Sequence, residues 1–400
     1  MARGARPGLA SDPLIRACAA LLFAALLAGC TAPPPVAATA TPTSSAPVAV
    51  EITDSTRGEL QAALQTQQTA LTRRDLTGYQ ATFDGQRAGL RRCKQESFDI
   101  AGRQGASGTA PRVVRVDPQP YATVYVRAWV DEGGRGLARL YFRQIDGKWV
   151  QSEPTERELG AEKTMTFDGV DVDYWEIDAD VVQALGRGTL AARDVILQNL
   201  LSEVRKPFGI RFYPTRSSQP VGLQCNVVGF HIPNAPADDK YIRFFRYWFT
   251  EDASILTPST VTFIQHEGLH WAQDQFHAGI TARLDWWLIE GWPDYVGQSR
   301  AASEKRSVVC GFPAPAYKQL ADGPRSDLPE TTPEEEVRYY SWANTMIEYL
   351  YERFGSDSYK KLLVAYIDDA DPNHNLPAVL NATPEEFRTG WIAWSKQKYC

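Results

Sequence analysis

Apolar and polar positions follow several distinct rhythms along the chain, and each rhythm predicts a different structure. Residues 17–30, "ACAALLFAALLAGC", are almost unbroken apolar and follow Arg3, Arg6 and Arg16. Residues 31–55, "TAPPPVAATATPTSSAPVAVEITDS", have no period and little that could enter a core, so they read as an extended tether. Periodicity begins with "RGELQAALQTQQTALTRRD", where Leu60, Leu64 and Leu71 recur at helical spacing. "ATVYVRAWV" and "GLARLYFRQIDGKWVQSE" then alternate as strands do, the second broken by an Asp146-Gly147 turn. Helices followed by an antiparallel sheet predict an α+β layer over residues 55–160.

Residues 165–400 read as mainly helical. "DADVVQALGRGTLAARDVILQNLLSEVRKPFG" predicts one long amphipathic helix or two, stopping at Pro-Phe-Gly. "IRFYPT" and "VGLQCNVVGFHIP" suit short strands. "TPSTVTFIQHEGLHWAQDQF", "DWWLIEGWPDYVGQSRAA", "RYYSWANTMIEYLYERFG" and "TPEEFRTGWIAWSKQKY" carry helical spacing, with start signals at Thr257-Pro258 and Thr383-Pro384. The overall class is α+β, in four parts: a leader at 1–29, the tether at 30–54, and folded regions at 55–160 and 165–400.

The leader has a charged start, an apolar middle and a small-residue end, as an export signal does. No stretch of eighteen or more apolar residues follows it, so nothing in the body is expected to span a membrane. A net charge of -6 without a basic stripe excludes a nucleic-acid footprint. Of six cysteines, Cys18 lies in the leader and Cys30 just after it. Cys93, Cys225, Cys310 and Cys400 remain, an even set that suits an oxidising compartment and two disulfides, with three pairings open. Their spacing is unlike any zinc-binding cysteine pattern.

The candidate chemistry lies in "VTFIQHEGLHWAQDQF". His266 and His270 are four residues apart, so on a helix they stack on one face and can converge on one metal ion. Glu267 lies next round the helix, within reach of an attacking water without being a ligand. With only five histidines in 400 residues, chance is a poor explanation of the triplet. Ile264, Gly268, Leu269 and Trp271 are uncharged, which suits a buried helix. A zinc site of this kind needs a third protein ligand. In "DWWLIEGWPDYVGQ", Glu290 can supply it, and Asp294, one turn on, can hydrogen-bond the far nitrogen of a ligand histidine. Among the other histidines, His231 and His277 are possible pocket residues, His277 more simply a solvated residue at the helix end, and His374 in "DDADPNHN" reads as a loop residue.

Three resemblances add to this. Leu27-Ala28-Gly29-Cys30 resembles the lipobox of bacterial lipoproteins, which implies cleavage before Cys30, its lipidation, and a membrane anchor on the extracytoplasmic face. Residues 55–160 resemble the NTF2-like cone fold, through "RRDLTGYQATFD" early and "YFRQIDGKWVQSE" late, which implies an accessory module. "HEGLH...LIEGWPDYV" resembles the gluzincin metallopeptidases, closest to the peptidase MA-like family, over residues 175–395. That resemblance implies Zn2+ held by His266, His270 and Glu290, Glu267 as general base, and a peptide or protein substrate. Carried over by alignment within "YYSWANTMIEYLYERFGSDSYKKLL", it gives Tyr340 the role of the tyrosine that stabilises the tetrahedral intermediate, with Tyr339 adjacent as an alternative. The chain lacks a Gly-rich exopeptidase motif ahead of His266, so endopeptidase activity is expected rather than aminopeptidase activity. The alternative reading is a non-catalytic, surface-tethered lipoprotein that binds or scaffolds.

Overall fold

Leu60 and Leu64 share one face of α1 (Asp54–Thr72) and are almost fully buried, so the helix lies flat against a sheet. That sheet is a four-stranded antiparallel meander, β1 (Arg112–Pro118), β2 (Val126–Asp131), β3 (Leu137–Ile145) and β4 (Lys148–Ser152), in that order. Val126, Ala128, Val130, Leu140 and Phe142 face α1 in the alternation that strands impose. The β3–β4 hairpin turns at Asp146 (φ 52°) and Gly147 (φ 73°), the left-handed pair that a two-residue hairpin requires. Short α2 (Leu76–Gln80) and α3 (Ala88–Gln104) close the layer around Ala70, Tyr79, Phe83 and Leu90.

The computed structural model describes residues 52–104, 109–118, 126–131, 137–199, 208–215, 229–230, 241–245, 258–324 and 332–400. The leader with Cys18, Cys30, nearly all of the tether, Cys225 and His231 lie outside the described residues.

The second region is built on a mixed five-stranded sheet with strand order β5-β6-β7-β9-β8. Its strands are β5 (Glu162–Phe167), β6 (Val170–Trp175), β7 (Phe208–Tyr213), β8 (Gly229–Phe230) and β9 (Tyr241–Phe245). Sequence periodicity predicts two strands here, and the structure holds five. Phe208 and Gly209, expected as a helix stop, already belong to β7. Helix α4 (Val182–Gln198) follows β6, and β6, β7 and β9 run parallel at the centre, so their side chains are buried on both faces. Against this stand α5 (Pro258–Phe276), α6 (Trp286–Val296), α7 (Ala302–Gly311), α8 (Tyr317–Asp322), α9 (Pro333–Phe354), α10 (Ser358–Asp368), α11 (Pro372–Leu380) and α12 (Pro384–Tyr399). One apolar core runs from Val172 and Ile210 of the sheet to Trp391 of α12. Thr383, expected with Pro384 to start a helix, caps α12 through a reciprocal box with Glu386. His374, expected in a loop, sits instead in the first turn of α11, where Asp371 caps the helix and Pro372 opens it.

A small buried seam joins the two sheets. Tyr141 of β3 packs on Leu159 and Ile177, and Arg139 forms a buried ion pair with Asp178 at 2.5 Å. The described residues form one compact unit. A disulfide between Cys310 and Cys400 fastens α7 to the residue that ends α12, and Cys93 is disulfide-bonded as well. Among the described residues no helix is long and apolar enough to cross a membrane.

Candidate metal centre

Two glycines in the motifs let the helices approach closely. A Cβ on Gly268 would come within 2.1 Å of Ile196 on α4, so α5 presses against α4 where a larger residue would not fit. A Cβ on Gly291 would lie 2.6 Å from the carbonyl oxygen of Ala343, so α6 crosses α9 backbone against side. The opposite flanks are left for chemistry. On α5, Ile264, Leu269, Trp271 and Ala272 are fully buried, while His266 and His270 turn toward α6. On α6, Trp287, Leu288 and Trp292 are buried in the core, while Glu290 and Asp294 turn toward α5. His266 meets Asp294, His270 meets Glu290 and Gln273 meets Leu288, so the two helices run antiparallel.

Three donor atoms converge. His266 Nε2 lies 3.1 Å from His270 Nε2, and each lies 3.3 Å from Glu290 Oε2. Bonds of about 2.0–2.1 Å at tetrahedral angles, as zinc makes with nitrogen and oxygen, put neighbouring donors about 3.3–3.4 Å apart. The three separations therefore outline one face of such a tetrahedron. They form the one group of three or more metal-ligating side chains among the described residues. Two imidazoles and one carboxylate also leave a fourth position open, which a purely structural four-ligand site would not.

Outer partners fix the ring orientations. His266 Nδ1 lies 3.3 Å from Asp294 Oδ1, and Asp294 in turn accepts from Arg300 Nε at 2.6 Å. His270 Nδ1 lies 3.0 Å from Gln273 Oε1. Both rings thus direct Nδ1 to an outer oxygen and turn Nε2 to the shared point. Gln273 is absent from the sequence-based expectations, and its placement has a local cause. Pro293 has no N–H, so within α6 it leaves the carbonyl of Ile289, four residues back, without its helical donor. Gln273 Nε2 supplies it at 3.0 Å, and also reaches Leu288 O at 3.2 Å and Tyr359 Oη at 2.6 Å. A proline one turn past a candidate ligand, facing a glutamine one turn past a histidine, is the signal that could have found it.

Charge in the site is balanced within the cluster. Taken as protein groups alone, burial pulls His266 down, but hydrogen bonds and charges from Asp294 and Glu290 outweigh it and raise its pKa to about 10. Burial likewise opposes the rise in His270, which Glu290 drives. Burial would raise Glu290, and the two imidazoles instead hold it far below the usual carboxylate range.

Around this cluster, Glu267 is half-buried on the next flank of α5, and its side chain makes no hydrogen bond among the described residues. Tyr340 of α9 packs its ring 5.1 Å from Trp286 and 6.4 Å from His266. Burial, then the negative charge of Glu290, Asp294, Glu336 and Glu267, pushes its phenol well above 10, so it stays protonated and a donor. Tyr339 packs on Trp286 and Trp342 and lines the cavity beside Pro313 and Ala314. His277 is exposed just past α5, and exposed His374 bonds Asp369 at 2.6 Å, so neither joins the cluster.

No family model and no curated protein matches the chain. The functional reading therefore rests on the geometry and chemistry of the site.

Proposed function

We propose that the protein is a zinc metallopeptidase of the gluzincin type, acting as an endopeptidase. It would be held at the extracytoplasmic face of a bacterial membrane through lipid on Cys30, with residues 55–160 an accessory NTF2-like layer. The observation that carries the reading is the convergence of His266, His270 and Glu290 within one tetrahedral face, beside a half-buried carboxylate with no hydrogen bond among the described residues, Glu267.

A zinc ion held there would supply Lewis acidity, polarising a scissile carbonyl and acidifying water. The protein's own groups do the rest. Glu267 takes a proton from the attacking water and delivers it to the leaving amine, a role for which a carboxylate with no hydrogen bond, one residue from a ligand, is suited. Tyr340 keeps its proton and donates a hydrogen bond to the oxyanion as it develops, a contribution often worth roughly 3 kcal/mol. Asp294 and Gln273 hold the two rings so that neither swings out of the donor geometry.

The test is hydrolysis of a mixed peptide library by the mature chain, read by mass spectrometry, for wild type beside Glu267→Gln. Cleavage at internal bonds by wild type alone supports the reading. Removal of single amino-terminal residues would replace endopeptidase by aminopeptidase activity. Zinc uptake with no cleavage by wild type would leave a tethered binding module.

A further inference from the structure

The groups that orient the first histidine and the groups that hold Tyr340 meet at one side chain. Arg300 lies between α6 and α7 and is largely buried. Its Nε donates to Asp294 Oδ2 at 2.6 Å, on the oxygen opposite the one that faces His266. Its Nη1 donates to Glu304 Oε1 at 2.6 Å, and that same oxygen accepts from Ser341 Oγ at 3.1 Å. Its guanidinium carbon sits 5.2 Å over the ring of Tyr340, the neighbour of Ser341. One planar cation thus touches the outer carboxylate of a metal ligand, the face of the tyrosine, and the support of the next residue on α9.

The chain goes to some trouble to bring Arg300 there. After α6, Ser299 N donates to Asp294 O at 3.0 Å and Gln298 N to Tyr295 O at 3.2 Å, a Schellman pair of bonds that folds the chain back. The reversal puts Gln298 at φ 52°, a left-handed position usually given to glycine. A glutamine held there is strained, because its Cβ crowds the neighbouring carbonyl oxygen. The fold returns Arg300 over Asp294 in spite of that strain.

Building on the metallopeptidase reading, we propose that Arg300 is a positioning residue that couples zinc binding to oxyanion stabilisation. Through Asp294 it fixes His266. An aspartate held by a guanidinium keeps its other oxygen in place against Nδ1, so the ring stays turned with Nε2 toward the shared point. Through the ring face it acts on Tyr340. A cation over a phenol ring stabilises negative charge growing on the hydroxyl, which strengthens the hydrogen bond that hydroxyl donates. Arg300 is not one of the three converging donors, and its proposed action runs through these two groups.

The test uses the mature chain with Arg300→Met, which keeps the apolar stem, and Arg300→Lys, which keeps the charge but not the planar fork. Zinc affinity is measured by chelator competition, kcat and KM are measured on a cleaved peptide, and each variant is repeated with Tyr340→Phe. Arg300→Met is expected to weaken zinc binding about tenfold and to lower kcat at least tenfold with KM within threefold. Arg300→Lys is expected to recover part of kcat but little of the zinc affinity. With Tyr340→Phe in place, the fall in kcat caused by Arg300→Met is expected to shrink below threefold. Lowered thermal stability with zinc affinity and kcat both within twofold of wild type would overturn the assignment and leave Arg300 a fold residue. An undiminished fall in kcat in the Tyr340→Phe background would overturn the coupling. Wild type that takes up no zinc would overturn the metallopeptidase reading and this inference together, which separates the two failures.

Discussion

Gln273 does two jobs with one amide, and they can be pulled apart. Its nitrogen fills the gap that Pro293 leaves at Ile289, and its oxygen holds His270 Nδ1. Gln273 is fully buried, so Gln273→Met, close in length, leaves the Ile289 carbonyl without a donor. An orphaned buried acceptor costs about 1–3 kcal/mol, and urea denaturation of the metal-free protein should lose that much. Freeing His270 should weaken zinc binding by about 10–100-fold, or about 1.4–2.7 kcal/mol. Gln273→Glu keeps an oxygen for His270 but loses the donated N–H, so stability should fall while zinc affinity stays within about threefold. Pro293→Ala returns an N–H to the helix at the point where Gln273 acts. The stability lost on Gln273→Met should therefore shrink by about 1–2 kcal/mol in the Pro293→Ala background. Additive losses, agreeing within about 0.5 kcal/mol, would refute the idea that the proline gap is what recruits the glutamine.

Other outcomes follow from the same site. Tyr340→Phe should lower kcat about a hundredfold with KM little changed, whereas Tyr339→Phe, whose ring packs on Trp286 and Trp342, should leave kcat within about twofold. Replacing both Cys310 and Cys400 by serine opens a loop of 90 residues and should reduce stability by about 2–5 kcal/mol in denaturation curves, with zinc affinity unchanged. His266 in the metal-free fold is raised from 6.5 to about 10, so its protonated form stabilises the fold fully below pH 6.5, and that contribution is lost as pH climbs through 10. Metal-free protein should therefore weaken across that window. Zinc, which needs the neutral ring, should release protons on uptake near about pH 7.5, measured by calorimetry in buffers of different ionisation enthalpy.

The chain announces some of this in its own order. Helical spacing of Leu60 and Leu64 and the Asp146-Gly147 turn gave the front layer because both signals are local. Asp168-Gly169 carries the same turn signal, with φ 42° and 81°, and joins β5 to β6. It passed unread because the polar, half-exposed run "EKTMTF" lacks the apolar weight of a strand until it is paired with "VDVDYW". Strand β9, "YIRFF", is five residues long and runs on in sequence into "RYWFT", so no turn residue marks its C-terminal end. His374 was misread because Asn and Asp favour both loops and helix caps, and here Asp371 caps. In the site, His266, His270, Glu290 and Asp294 were legible because each pair lies one helical turn apart, which fixes a shared face. Gln273 and Arg300 were not, since their partners are a carbonyl freed by a distant proline and a carboxylate reached only after a chain reversal.

Metal content of the purified mature chain tests the central claim most directly. Elemental mass spectrometry of wild type, Glu267→Gln, His266→Ala and Glu290→Ala, each checked for folding by circular dichroism, gives the answer in one set. The expected result is one zinc per chain in wild type and in Glu267→Gln, with none retained in His266→Ala and little in Glu290→Ala. Folded wild type that holds no zinc at any micromolar concentration, or folded His266→Ala that holds as much as wild type, would contradict the account.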